Sequence, residues 1–187
     1  MGDGRRRLLR NLWFSLAVLA TLALIGLALP AINGLLPAER MVSARVPYTV
    51  AAGVTVRPPS GARIDVTETQ PGPDGGSVLF DVRAVRYAIV VVPFTGSLAV
   101  AALRLRTKIA DTRDHHVADG ERAVTTAQGV RGREGHYTYA GRLGHYAVFV
   151  ARGLAVQVTV AGRGADLAAV LPAISISAGT LTFRPAS

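Results

Sequence analysis

His136-Tyr137-Thr138-Tyr139, Gly141-Arg142-Leu143-Gly144, His145-Tyr146-Ala147-Val148-Phe149-Val150, Arg152-Gly153 and the run from Leu154 to Ala161 follow one another in the last third of the chain. The segments between the glycine-bearing turns are rich in aromatic and β-branched residues, the composition of strands. In the last of them Leu154, Val156, Val158 and Val160 fall on one side, and Gln157 and Thr159 on the other. Period two marks a strand with one side facing a core. Two hairpins in succession are antiparallel by construction, so this stretch predicts an antiparallel sheet.

Upstream, Val124-Thr125-Thr126-Ala127-Gln128 leads into the meander through Gly129-Val130-Arg131-Gly132-Arg133-Glu134-Gly135, whose glycines read as turns. Downstream of Gly162-Arg163-Gly164, Asp166 opens a helix with the apolar stripe Leu167, Val170, Leu171 and Ile174. Pro172 is expected to kink it or confine it to a few turns. Thr180-Leu181-Thr182-Phe183 is a final strand.

Earlier in the chain, Val54-Thr55-Val56 and the alternating run Ala62 to Thr69 read as strands, with Gln70 to Gly76 as a turn or loop. Val78-Leu79-Phe80-Asp81-Val82 precedes Tyr87-Ala88-Ile89-Val90-Val91-Val92, a β-branched run that belongs inside a sheet and stops at Pro93. Ser97 is an N-cap for an amphipathic helix in which Leu98, Ala102, Leu105 and Ile109 recur at helical spacing. Ala110 to Gly120 reads as the loop closing it. The fold class that follows is α+β: an antiparallel sheet covered by two helices, spanning residues 50–187.

The N-terminus has another character. No charged residue occurs from Asn11 to Ala38, and Leu12, Trp13, Phe14, Leu16, Leu19, Leu22, Leu24, Ile25, Leu27 and Leu29 make its core nearly continuous in apolar side chains. Eighteen such residues rise about 27 Å as a helix, against about 30 Å of bilayer hydrocarbon. Residues 11–36 are therefore expected to form a transmembrane helix. Arg5, Arg6, Arg7 and Arg10 precede it, and basic residues stay on the cytoplasmic side, so residues 1–10 read as a cytoplasmic tail and all that follows as extracytoplasmic. A cleavable signal peptide shares the basic start, but its apolar region is about 7 to 15 residues and wants small residues at the cut. Here the run is longer, and Pro30 and Pro37 flank the candidate cut sites. Residues 37–49 read as a stalk.

About 145 residues beyond the anchor suffice for one domain with its own core. Cysteine is absent from the sequence, which rules out disulfides, thiolate metal sites and a lipid-modified N-terminal cysteine. The chain has 21 basic and 12 acidic residues; without the four N-terminal arginines and Asp3, 17 and 11 remain, a net charge of +6. That balance favours anionic neighbours such as lipid head groups, and the expected topology makes nucleic acid no partner. Arg104, Arg106 and Lys108 on the first helix are the candidate contacts for an anionic ligand.

Catalytic patterns are not found. His115 and His116 among Asp111, Asp114 and Asp119 offer ligand atoms, yet the spacing matches no zinc motif, so no metal or cofactor is expected. The repeats Gly135-His136-Tyr137 and Gly144-His145-Tyr146 could bring two histidines and two tyrosines together across a hairpin, but they more simply mark turns and edge-packing aromatics. Gly129, Gly132 and Gly135, with Arg131 and Arg133, precede a strand and not the helix N-terminus that a phosphate site uses. A Gly-x-Ser-x-Gly elbow is missing.

The order of elements, the helix after Pro93-Phe94-Thr95-Gly96-Ser97, and the ending from Val156 to Gly162 through Leu171-Pro172 to Phe183 resemble PsbP/Mog1-like extracytoplasmic domains, in particular the LpqN-like envelope proteins of actinobacteria. The resemblance implies a non-catalytic binding or assembly module linked to lipid transport and cell-wall upkeep. This chain departs from the lipoprotein members in lacking the anchoring cysteine. The expected function is a single-pass envelope protein whose exported domain binds or assembles an envelope membrane-protein complex. The alternatives are a lipid- or glycolipid-binding accessory of envelope transport, with a groove beside the helix at 97–110, and thirdly an uncharacterised enzyme.

Overall fold

A computed structural model describes residues 39–51 and 53–184. The expected span at 11–36, its anchor side chains and the arginines of the tail lie outside the described residues. Among the described residues no helix is long and apolar enough to cross a membrane.

The strand-rich segments pair as their alternation requires. In chain order they are β1 (Glu39–Met41), β2 (Tyr48–Ala51), β3 (Val54–Val56), β4 (Arg63–Asp65), β5 (Gly76–Val82), β6 (Val85–Pro93), α1 (Leu98–Ala110), β7 (His115–Val117), β8 (Arg122–Thr125), β9 (Arg131–Tyr139), β10 (Arg142–Ala151), β11 (Leu154–Gly162), α2 (Gly164–Gly179) and β12 (Thr182–Phe183). One antiparallel sheet runs β1-β4-β5-β6-β11-β10-β9-β7, with β8 also paired to β9. A smaller sheet, β12-β3-β2, accompanies it.

The large sheet is covered on both faces. On one, α2 and the small sheet bury Phe80, Tyr87, Ile89, Phe149, Val156 and Val158 against Leu167, Ile174, Leu181 and Phe183. On the other, Ala101, Ala102, Leu105 and Ile109 of α1 pack on Tyr137, Tyr146, Val148 and Ala155. Successive β10 residues alternate between these two clusters, as the pleat dictates. Ser97 caps α1 by accepting a hydrogen bond from the Val100 amide at 3.3 Å. A three-membered link pins α2: the Tyr87 hydroxyl lies 3.3 Å from Ser177 Oγ, which donates to the Arg57 carbonyl at 2.6 Å.

Several expectations change. The segment read as a stalk contains β1 and the start of β2; Glu39 bridges Arg63 at 2.8 Å, so the sheet begins earlier than apolar content signals. The strand expected over 62–69 ends at Asp65, whose carboxylate accepts from the Thr67 and Glu68 amides and closes a turn. The expected loop at 110–120 contains β7. α2 continues through Pro172 for 16 residues: Pro172 lies on the exposed side, and Leu167 and Val170 before it and Ile174 and Ser177 after it are buried.

Candidate functional site

The large sheet extends beyond α2, and the space left beside the helix is a cleft of about 520 Å³. One stripe of α2, Leu171, Ile174, Ser175 and Ala178, forms its wall at the i, i+3, i+4 spacing of a helix face. The floor is Ala147 and Phe149 of β10 with Val158 and Val160 of β11. At the far side stand Arg122 of β8, Glu134 and His136 of β9 and His145 of β10. The far end of the helix is tied to the β8–β9 turn, where the Ala127 amide donates to the Gly179 carbonyl at 2.8 Å. The cleft thus has an apolar floor and a polar rim, the composition of small-molecule sites, which run to about 300–1,000 Å³.

The rim is set by strand register. His136 and His145 are direct cross-strand partners, while Tyr137 faces Gly144 and Tyr146 faces Gly135. Cross-strand partners share a face. The repeated tripeptide therefore separates its chemistry, with both histidines at the cleft and both tyrosines under α1. The glycines are strand residues and not the expected turns. A Cβ on Gly144 would run into the Tyr137 ring, and one on Gly135 into the ring of Tyr146. The turn itself is at Ala140-Gly141, both with positive φ.

The two imidazoles meet through Nδ1 at 2.9 Å, with ring planes perpendicular. One nitrogen must then carry a proton and the other a lone pair. Burial, and secondarily the neighbouring His136, hold His145 below the usual imidazole range. Arg122 is ion-paired to Glu134. The two imidazoles hydrogen-bond each other, and Ser175 of α2 lines the same cleft.

The α1 side carries an open hollow of about 550 Å³ on its outer face, lined by Leu103, Arg104, Thr107, Lys108, Asp111 and Thr112. Its groove against the sheet, between Leu105, Ile109, Tyr137 and Thr159, is about 210 Å³. Of the three residues expected to meet an anion, Arg104 lies over the Phe94 ring at 5.3 Å, Arg106 is 3.7 Å from Asp119, and Lys108 borders that small groove. Arg104 and Lys108 both line the outer hollow of α1 and Arg106 does not, while none of the three lines the cleft beside α2. Tyr146 hydrogen-bonds Glu121 at 3.0 Å, and Glu121 in turn lies 3.3 Å from Arg133. Burial, with the Glu121 contact added, pushes the Tyr146 phenol up to about 12; burial does the same to Tyr137.

His115 and His116 fall on opposite faces of β7. His115 stacks on Tyr139 and Tyr137 at 5.0 and 5.6 Å, and His116 is exposed. Adjacent strand residues cannot reach one ion from opposite faces. Among the described residues no three His, Asp or Glu side chains group for a metal. Of the glycines considered for phosphate, only Gly129 lies in a turn; Gly132 and Gly135 are within β9. The cleft itself was missed in the sequence, although the paired Gly-His-Tyr spacing contained its rim.

No family model matches the chain, and no curated protein does. Among solved structures, the cyanobacterial PsbP (CyanoP) of Synechocystis sp. PCC 6803 matches with a TM-score of 0.52 and 13% identity, over 80% of this chain and 94% of that one. A protein of unknown function from Pseudomonas aeruginosa, described as a putative regulator, has a TM-score of 0.46 and 17% identity over 71% of this chain and 98% of its own. The described domain, a mostly antiparallel sheet with two helices, has a PsbP-like fold.

Proposed function

We propose that this chain is a single-pass, membrane-anchored envelope protein, LpqN-like and of actinobacterial type, whose exported domain is a non-catalytic binding module. The N-terminus is cytoplasmic, residues 11–36 span the membrane, and the domain lies outside. The observation that carries the binding role is the cleft of about 520 Å³, with Phe149, Val158 and Ile174 inside and Arg122, Glu134, His136 and His145 at its rim. Such a cleft fits an amphipathic ligand, a lipid or glycolipid, its chain on the floor and its head at the rim.

The test is native mass spectrometry of the full-length chain released from its membrane in mild detergent. The expected result is one lipid retained per chain, and its loss in Ala178→Phe, which fills the cleft. A chain that carries no lipid, while a known lipid carrier keeps its own, would overturn this reading.

A second reading, assembly with an envelope membrane protein, is favoured by the outer side of α2. Ala168, Ala169, Pro172, Ala173 and Ile176 are exposed there, and no charged residue follows Asp166 in the helix. Isolation of the full-length chain with a stoichiometric membrane-protein partner, lost in Ile176→Glu, tests it.

A further inference from the structure

The geometry points to an anionic head group as what the rim accepts: His136 and His145 act as one proton-sharing unit whose singly protonated form presents two N–H donors to a sulfate-like, phosphate-like or carboxylate oxygen. The inference deepens the proposed binding role and rests on it.

In the neutral pair the bridging proton sits on one Nδ1, and the partner's Nδ1 accepts it. The two Nε2 atoms are then unlike: the ring that donates through Nδ1 has a lone pair at Nε2, and the ring that accepts has an N–H there. One more proton changes this. The bridge persists as N–H⁺···N, both Nε2 atoms become donors, and the unit carries one positive charge. A donor–acceptor rim becomes a donor–donor rim suited to an anion.

The neighbours leave this change uncompensated. From β8 comes Arg122 and from β9 Glu134, and these two are paired, so their charges cancel locally. β10 contributes His145 itself, with Ala147 and Phe149; β11 contributes Val158 and Val160; α2 contributes Leu171, Ile174, Ser175 and Ala178. The side chains from β11 and α2, and Ala147 and Phe149, carry no ionisable group. Tyr146 borders the cleft, but its hydroxyl is held by Glu121. The histidine pair therefore sets the sign of the rim. A second added proton would place two donors nose to nose, and the burial of His145 opposes it. The rim thus switches between neutral and singly charged as the pair takes up one proton.

The probe is octyl sulfate, whose head group keeps one negative charge throughout, with free sulfate and octyl glucoside as head-only and chain-only controls. Binding to the full-length chain in zwitterionic nanodiscs is measured by calorimetry at about pH 5.5 and about pH 8, and the signal of empty nanodiscs is subtracted. The expected result is octyl sulfate binding about tenfold tighter at the lower pH, with octyl glucoside unchanged between the two. The double variant His136→Gln/His145→Gln should bind octyl sulfate at the wild-type pH 8 level at both pH values. Octyl glucoside binding equal to that of the wild type shows that the variant is folded. Free sulfate binding alone, with no gain from the octyl chain, would mean a plain anion site and overturn the amphiphile. Equal octyl sulfate binding at both pH values would overturn the proton-sharing unit and leave the binding role standing. Binding of no probe at either pH would overturn both.

Discussion

On the α1 face of the β9–β10 hairpin, Tyr137 and Tyr146 lie over Gly144 and Gly135 in a packed layer with Leu105 and Ala102. On the α2 face of the same hairpin, His136 meets His145 at the rim of an open cleft. One repeated tripeptide supplies both. Its central residue points one way and its outer two the other, so the glycines that admit the tyrosine rings also fix the register that joins the histidines. Packing on one face positions the chemistry on the other.

The contrast is broken most severely by filling both faces. Gly144→Val places methyl groups where the Tyr137 ring lies and should cost about 3 kcal/mol, read by chemical denaturation of the full chain. Ala178→Phe enters open space on the cleft side and should cost less than about 1 kcal/mol. Equal losses would mean that the two faces are packed alike.

The tyrosine side has its own signature in alkali. Tyr137 and Tyr146 are pushed up to about 12 by burial, above the ordinary phenol value of about 10. A folded-state pKa above the unfolded one contributes stability that is present below pH 10 and lost as pH rises through 12. Tyrosinate absorbance should therefore develop late for these two and coincide with unfolding. Early ionisation would show that the layer under α1 is wet.

The smallest effects separate the helices. Ser97→Ala removes the α1 cap and should cost about 1 kcal/mol. The N-cap of α2 is Arg163, which makes no capping bond but has extended backbone angles, so Arg163→Ser should stabilise by about 0.5 kcal/mol. Thermal unfolding of the two variants checks the signs.

What the sequence disclosed followed from local chemistry. The α1 boundaries were legible in Ser97 and the 98, 102, 105, 109 spacing, and β11 in the alternation from Leu154 to Val160, because each pattern repeats within one element. β1 and β7 were not legible. Glu39-Arg40-Met41 and His115-His116-Val117 carry no apolar alternation and are strands only because β4 and β9 offer them partners. Gly135 and Gly144 misled for the same reason: what requires them is a ring on the neighbouring strand. Of the candidate site, the histidine pairing could be read from the repeat. The cleft could not, since it depends on where a helix 20 residues or more along the chain comes to rest.

The small sheet pairs Val54 with Phe183, and Ser177 reaches back to Arg57. The first part of the core is thus closed by β12, the last of the described strands. Non-local pairing of this kind slows folding, because the loop must close before its contacts form. Val50, Val54 and Val56 have no complete cover until Leu181 and Phe183 arrive. A polypeptide delivered N-terminus first would hold that apolar surface open until β12 is made, and over that interval it would be exposed to association with other unfolded chains.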